Sequence, residues 1–198
     1  MAFGVKLMAL RDWCRGVILP VSELIDIIRT ATEQNRTEQN ILDFGAGTLF
    51  WTKKLTFLYP ESTIYAVDTF YAENEAKLPK TPNVIYLADI AATLTETDFA
   101  LAWCCDVLHH ISAENERGIL TQMAAKSETI IVKDIDCTHR FGNFMNRMHD
   151  RYINGERIRD IDPKRVAALL ESVGFAVEYR YLPKIWYPHF VLIARRSK

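Results

Sequence analysis

The sequence predicts a doubly wound α/β fold, a mostly parallel seven-stranded sheet between helices that ends in an antiparallel hairpin. Three observations predict it. Short apolar runs alternate with segments of helical period from residue 40 to about 132, as expected of strands buried on both faces between crossover helices. An acidic residue stands at or just past the end of run after run, where ligands of such sheets bind. Two long β-like runs, Phe175 to Tyr181 and Trp186 to Ala194, follow one another with no helix between them. They must pair antiparallel, because a parallel connection takes about a dozen residues or more.

The elements follow in order. A first helix is expected from near Ser22, whose hydroxyl is placed to cap it, with Leu24, Ile25, Ile27, Ile28 and Ala31 as its apolar stripe. Strand one is 40–44; it runs into the tight turn Asp43-Phe44-Gly45-Ala46-Gly47-Thr48 before a helix over about 49–58. Strand two is Thr63 to Val67, ending at Asp68, and strand three is Asn83 to Leu87, with Asp89 just past it. Strand four is Phe99 to Cys104, with Asp106 past it; a helix over about 113–126 leads to strand five, Thr129 to Val132, and then to Lys133, Asp134 and Asp136. Asp162 and Pro163 open the last helix as N-cap and N1 residue. Val166, Ala167, Leu169, Leu170 and Val173 form its apolar face before Gly174 stops it. The final hairpin is expected to turn around Pro183.

The 198 residues make one domain or a domain with a small cap. Residues 1–39 read as an N-terminal helical cap, 40–198 as the ligand-binding domain, and 137–160 as a helical insertion on its substrate side. A net charge of −1 gives no general pull towards nucleic acid or an anionic membrane, although local basic patches stay possible. Cys14, Cys104, Cys105 and Cys137 have no metal-site spacing and read as reduced thiols. The apolar stretch Phe3 to Leu10 is interrupted by Lys6, Arg11, Asp12 and Arg15, too early for a secretory core or a membrane span of about 20 residues. A cytoplasmic protein without a membrane span is expected.

The glycine turn marks where a cofactor would sit. Glycine permits positive φ and removes side chains that keep a ligand from the backbone. Alone it is ambiguous, since Gly-x-Gly after a strand serves several nucleotide cofactors or is only a turn. The dinucleotide fingerprint wants a third glycine three residues after Gly47, and Phe50 stands there, followed by Trp51.

Taken together these segments resemble the class I methyltransferases that use S-adenosylmethionine, over about 40 to 195. Asp43 to Thr48 looks like their first motif, Val67-Asp68 like the second, Ala88-Asp89-Ile90 like the third and Asp106-Val107-Leu108-His109-His110-Ile111 like the fourth. Gly45, Asp68, Asp89 and Asp106 follow one another at 23, 21 and 17 residues, as successive units would. The helix ending Glu171-Ser172-Val173-Gly174-Phe175 and the terminal hairpin match as well. Leu49 departs from the pattern, where many members carry a third glycine. The resemblance implies a Rossmann-like methyltransferase fold with S-adenosylmethionine as cofactor. It makes Asp43, Gly45, Ala46, Gly47, Asp68, Thr69, Asp89, Ile90 and Asp106 the candidate cofactor-binding residues. Asp68 would accept from the ribose hydroxyls and Asp89 from the adenine amine, with Ile90 against the ring. The backbone of 45–47 would hold the amino-acid end, with Asp43 in the network around its ammonium. Tyr71 or Phe70 would cover the adenine.

Methyl transfer is an in-line displacement, so the protein must align a nucleophile and remove its proton. His109 and His110, just past strand four, are the candidate bases, because an imidazole titrates near neutral pH; Lys133 is counted with them as a candidate catalytic residue. After strand five, Phe141, Phe144, Met145, Met148 and Tyr152 recur at three- and four-residue steps, an apolar stripe of the kind usually turned to the core. Asp134, Asn146, His149 and Asp150 are candidate substrate residues. Lys133 to Asp136 and Asn146 to Asp150 resemble small methyltransferases of bacterial aryl-polyene pigment clusters, which implies a small hydroxyaryl acceptor, free or presented on a carrier protein, methylated at oxygen or at ring carbon. Neither the Asn/Asp-Pro-Pro-Tyr/Phe pattern of exocyclic-amine methylation nor a Pro-Cys nucleophile is present. No resident metal is expected, although Asp106, Asp134 and Asp136 could converge on a divalent ion, as in a metal-assisted catechol reaction. A catalytically silent cofactor-binding partner subunit is the alternative from another class; a nicotinamide reductase is disfavoured by Phe50 and the hairpin.

Overall fold

The computed structural model describes residues 16–32, 39–74, 78–89, 97–149, 151–152 and 158–197. Its helices are α1 (Val21–Thr32), α2 (Phe50–Leu58), α3 (Tyr71–Asn74), α4 (Ala113–Lys126), α5 (Arg140–His149) and α6 (Pro163–Ser172). Its strands are β1 (Asn40–Phe44), β2 (Thr63–Val67), β3 (Val84–Leu87), β4 (Phe99–Cys105), β5 (Ser127–Ile135), β6 (Phe175–Lys184) and β7 (Tyr187–Arg196). They form one sheet in the order β3-β2-β1-β4-β5-β7-β6. The first five strands in sequence pair in parallel, whereas β7 runs antiparallel to both β5 and β6. This is the predicted doubly wound sheet with its terminal hairpin.

Successive strand residues point to opposite faces, and both faces are packed. On one, Leu42, Ala102, Val132 and Leu192 meet Leu120 and Met123 of α4 and Val166 and Leu170 of α6. On the other, Ile41, Leu101, Ile131 and Val191 meet Leu24 and Ile28 of α1 and Trp51 and Leu55 of α2. Each such side chain contributes about 1.5–3 kcal/mol by leaving water. α6 is capped as its sequence predicts, the Asp162 carboxylate accepting from the Lys164 amide at 2.9 Å.

Several boundaries differ from expectation. α1 begins at Val21, and the Ser22 hydroxyl donates to the Glu23 carboxylate instead of capping the helix. β5 continues through Lys133 and Asp134, which stay in the ladder opposite Val191 and Phe190 because each finds a polar partner at the sheet's end. The hairpin turns at Ile185 and Trp186, since Lys184 pairs with Tyr187. Pro183 sits within β6, an edge strand, where a missing N–H is tolerated.

The largest reversal concerns α5. Its apolar stripe points outward, with Phe141 and Phe144 exposed, and Tyr152 just beyond the helix is exposed too, while Asn146 on the opposite side is buried. Gly142 sets this rotation: a Cβ there would lie 2.5 Å from the Trp186 carbonyl oxygen and 2.6 Å from Pro188 Cδ, so the glycine side of the helix rests on the β6–β7 hairpin. No helix of the described residues is long and apolar enough to cross a membrane.

Candidate functional site

The sheet reverses its winding between β1 and β4, and ligands of open α/β sheets bind at the carboxyl ends of the strands at such a switch point. Past β1 the amides of Gly45 and Ala46 both donate to the Val67 carbonyl at the end of β2, at 2.8 and 3.1 Å. Gly45 and Gly47 adopt φ of +72° and +49°. Their vacant side-chain positions serve different purposes. A Cβ on Gly45 would fall 2.2 Å from Val107 Cγ2, so that space belongs to the loop after β4 and not to a ligand. A Cβ on Gly47 would have no neighbour closer than 3.9 Å, which leaves that side open. Leu49 also takes a left-handed φ, 66°, and its side chain is buried with Ala46, Ala66 and Tyr71.

Two carboxylates organise this turn. Asp68, past β2, accepts the Gly47 amide on Oδ2 and the Phe70 amide on Oδ1, each at 2.9 Å. This fixes the carboxylate beside the open glycine while each oxygen keeps a lone pair for a ligand hydroxyl. Thr69 follows it in an exposed turn. The Tyr71 hydroxyl donates to the Gly47 carbonyl at 3.1 Å and its ring is buried beneath the turn, so of the two aromatics only Phe70 is exposed. Asp43 points towards α2, where it accepts from the Thr52 hydroxyl at 2.5 Å. Burial pushes its carboxyl up to about 7; the Thr52 bond opposes the rise and the Asp68 charge adds to it. Ala46 is buried in the turn and Asp89 is exposed past β3. Ile90 lies outside the described residues.

Past β4 the chain turns at Asp106, whose φ is +55°. The wholly buried Lys133 ammonium donates to Asp106 Oδ1 at 2.5 Å, and the Asp106 amide to the Lys133 carbonyl at 2.8 Å. Burial alone would raise the Asp106 carboxyl, but Lys133, then His189 and His109, outweigh it and hold it at about 2. His189 of β7 is buried with Nε2 2.9 Å from the Ile18 carbonyl; burial and the Lys133 charge push it down to about 3, so it is neutral.

On the other face of β5, His109 Nδ1 lies 2.7 Å from Asp134 Oδ1, which also accepts the Ile135 amide at 2.8 Å. With a carboxylate as acceptor the ring carries its proton on Nδ1 and presents its basic lone pair on Nε2. Asp134 is fully buried and His109 only 8% exposed, whereas His110 is exposed, its ring centroid 4.1 Å from that of His109. Both histidines lie in the short turn Leu108–His110. That turn is clamped from outside by Arg159. Its amide donates to the His109 carbonyl at 3.0 Å, Nε to Ile111 at 3.0 Å and Nη2 to Leu108 at 3.1 Å. Its guanidinium also pairs with Glu116, a fully buried acid of α4 that Arg165 reaches as well.

Asp136 does not join this group. It accepts the Thr138 amide and hydroxyl, at 2.8 and 2.6 Å, and the Tyr179 hydroxyl at 3.1 Å, which makes it the cap of the loop after β5. The oxygen trio Asp106, Asp134 and Asp136 is therefore not assembled. Donor atoms of Asp106, His109 and Asp134 instead lie within 4.8 Å of one another, and Lys133 already supplies the cation against Asp106. Those residues serve an internal ion pair and a histidine–carboxylate pair better than a divalent ion. Asn146 is buried on the inward side of α5 and His149 ends that helix; Asp150 lies outside the described residues.

Thr52, Glu116, Arg159 and His189 are not among the residues that motif and spacing single out. Glu116 sits in an otherwise ordinary first turn of α4, and the long-range pairs to Arg159 and His189 have no periodic signature. The one available signal was the acid at 116 on the inward side of its helix.

No protein-family model matches the chain, and no curated protein matches it in sequence. Its fold does match solved structures. A SAM-dependent methyltransferase from Archaeoglobus fulgidus superposes with a TM-score of 0.69 at 14% identity, covering 92% of this chain and 97% of that one. Magnesium protoporphyrin IX methyltransferase from Synechocystis PCC 6803, solved with bound SAH, gives 0.65 at 14% identity over 96% and 94%. Human N-acetylserotonin methyltransferase in complex with SAM gives 0.60 at 16% identity, covering 80% of this chain, which matches 48% of that one. The architecture is thus the Rossmann-like fold of class I methyltransferases.

Proposed function

We propose that the protein is an S-adenosylmethionine-dependent methyltransferase that acts on a small hydroxyaryl acceptor, with His109 as the base. The observation that carries this reading is the His109–Asp134 pair, whose histidine stands on the loop past β4 that also brings Val107 against Gly45 of the glycine turn. The residues suit the cofactor: Gly47 is open, the oriented Asp68 carboxylate can take a ribose diol, and Asp43, with its carboxyl at about 7, offers negative charge behind the turn once the pH exceeds that value. When bound, S-adenosylmethionine supplies an electrophilic methyl group on a sulfonium. The protein's part is to hold the acceptor hydroxyl within reach of His109 Nε2 and to take its proton as the new bond forms. The resulting imidazolium is stabilised by Asp134, whose burial strengthens the attraction. Removing the proton of a phenol raises nucleophilicity at both oxygen and ring carbon, so the same base serves either product. The Lys133–Asp106 pair supports the end of β4 from the opposite face and holds the loop that carries the histidines.

Calorimetry with S-adenosylmethionine, S-adenosylhomocysteine and NADH tests the cofactor: the first two should bind and NADH should not. Turnover on a panel of free and carrier-bound hydroxyaryl acids, followed by mass detection, tests the acceptor. His109→Ala should lower kcat by about 10²–10⁴-fold, the usual worth of a general base, with cofactor affinity retained. Near-normal turnover in His109→Ala would remove the assignment, and NADH binding without S-adenosylmethionine binding would overturn the reading.

A further inference from the structure

The geometry points to a second function for the outward face of α5: docking on an anionic lipid surface. Among the described residues this face carries two rows. Arg140 and Arg147 form one, and Phe141, Phe144 and Met148 form the other, with Arg151 and Tyr152 just beyond the helix; all seven are exposed. The exposures of Phe141 (71%), Phe144 (57%) and Tyr152 (71%) are far beyond what isolated surface aromatics need. Ile185 and Trp186, also exposed, extend the apolar row across the hairpin turn. They are rigidly joined to it, because the Gly142 side of α5 lies in contact with Trp186 and Pro188.

An apolar row beside an arginine row is the pattern of helices that lie in the plane of a membrane interface, where Trp and Tyr favour the headgroup level. Charge complementarity selects the occupant. No described residue of this helix face is acidic; Arg147 pairs with Asp160 at 3.3 Å, and the Arg151 guanidinium lies over the Tyr152 ring, 6.0 Å from its centroid. A second copy on this face would bring another arginine row and no described acid to meet either one. The inference stands independently of methyl transfer.

Co-sedimentation with vesicles of phosphatidylcholine, alone and mixed with phosphatidylglycerol, tests it on the full chain. Partitioning should be strong only on the mixed vesicles and should weaken with salt. Arg140→Glu/Arg151→Glu should lower it by about 25-fold or more, about fivefold for each charge lost. Phe141→Ser/Phe144→Ser should lower it comparably, with an unchanged circular dichroism spectrum and melting temperature. Brominated lipid should quench tryptophan emission in the wild type and less in Trp186→Phe. Equal partitioning of wild type and both double variants overturns the proposal. So does a dimer in light scattering that Phe144→Asp dissolves, or an acidic carrier protein that binds this face while vesicles do not.

Discussion

Replacing Asp43 by Asn separates stability from cofactor binding. Asp43 is almost wholly buried, accepts from Thr52, and has its carboxyl lifted from 3.8 to about 7. A raised carboxyl favours the folded state fully below the unfolded value, and that advantage is lost as pH climbs through the folded value. At about 1.4 kcal/mol per pH unit, the raised carboxyl costs the fold about 4 kcal/mol at pH 8, where Asp43 is ionised, and about 1–2 kcal/mol at pH 5, where folding takes up its proton. Asn has no proton to lose and its amide oxygen can still accept from Thr52. The stability of Asp43→Asn relative to wild type should therefore improve by about 2–3 kcal/mol between pH 5 and pH 8. At about 2–4 °C per kcal/mol for a chain of this size, the melting-temperature difference should change by about 5–10 °C in the variant's favour. Scanning calorimetry of both proteins at pH 5, 6, 7 and 8 measures it, and titration with S-adenosylmethionine at pH 8 should show weaker binding to the variant. A melting-temperature difference that does not change with pH would refute the reasoning.

Gly45→Ala should destabilise the fold by about 2 kcal/mol or more, since it combines a positive φ with a Cβ driven into Val107; urea unfolding should show partial recovery in Gly45→Ala/Val107→Ala. Arg159→Ala should lower kcat about tenfold or more while cofactor affinity holds, because it frees the turn that carries His109 without touching the glycine turn; steady-state kinetics beside calorimetry check this, and Arg159→Lys should restore only part of the loss, since an ammonium cannot reproduce the fork on Leu108, Ile111 and Glu116.

Much of this architecture is legible because it repeats. Strand two falls on Thr63–Val67 and the helix before strand five on 113–126, as the apolar runs and caps predict, because both are governed by residues near one another in sequence. The antiparallel hairpin is equally legible, since no alternative pairing fits so short a connection. The failures share a cause. β5 outruns its apolar segment because Lys133 and Asp134 are neutralised by Asp106 and His109, some 25 residues upstream. α5 turns its apolar stripe to solvent because Gly142 must rest on a hairpin whose Trp186 follows 44 residues later (186 − 142). Periodicity tells which residues share a helix face and is silent about what that face meets. At the site, the spacing of acids pointed to 68 and 106, but the roles of Asp134 and Arg159 depend on distance in space alone.

Leu49 bears on how this turn keeps its shape. A left-handed leucine costs roughly 1 kcal/mol in backbone energy, and its burial among Ala46, Ala66 and Tyr71 offsets that, a fully buried leucine contributing about 1.5–3 kcal/mol. Glycine reaches such a torsion angle freely; here a well-seated apolar side chain holds it, so the turn's backbone shape at 49 is set by packing and not by the lack of a side chain.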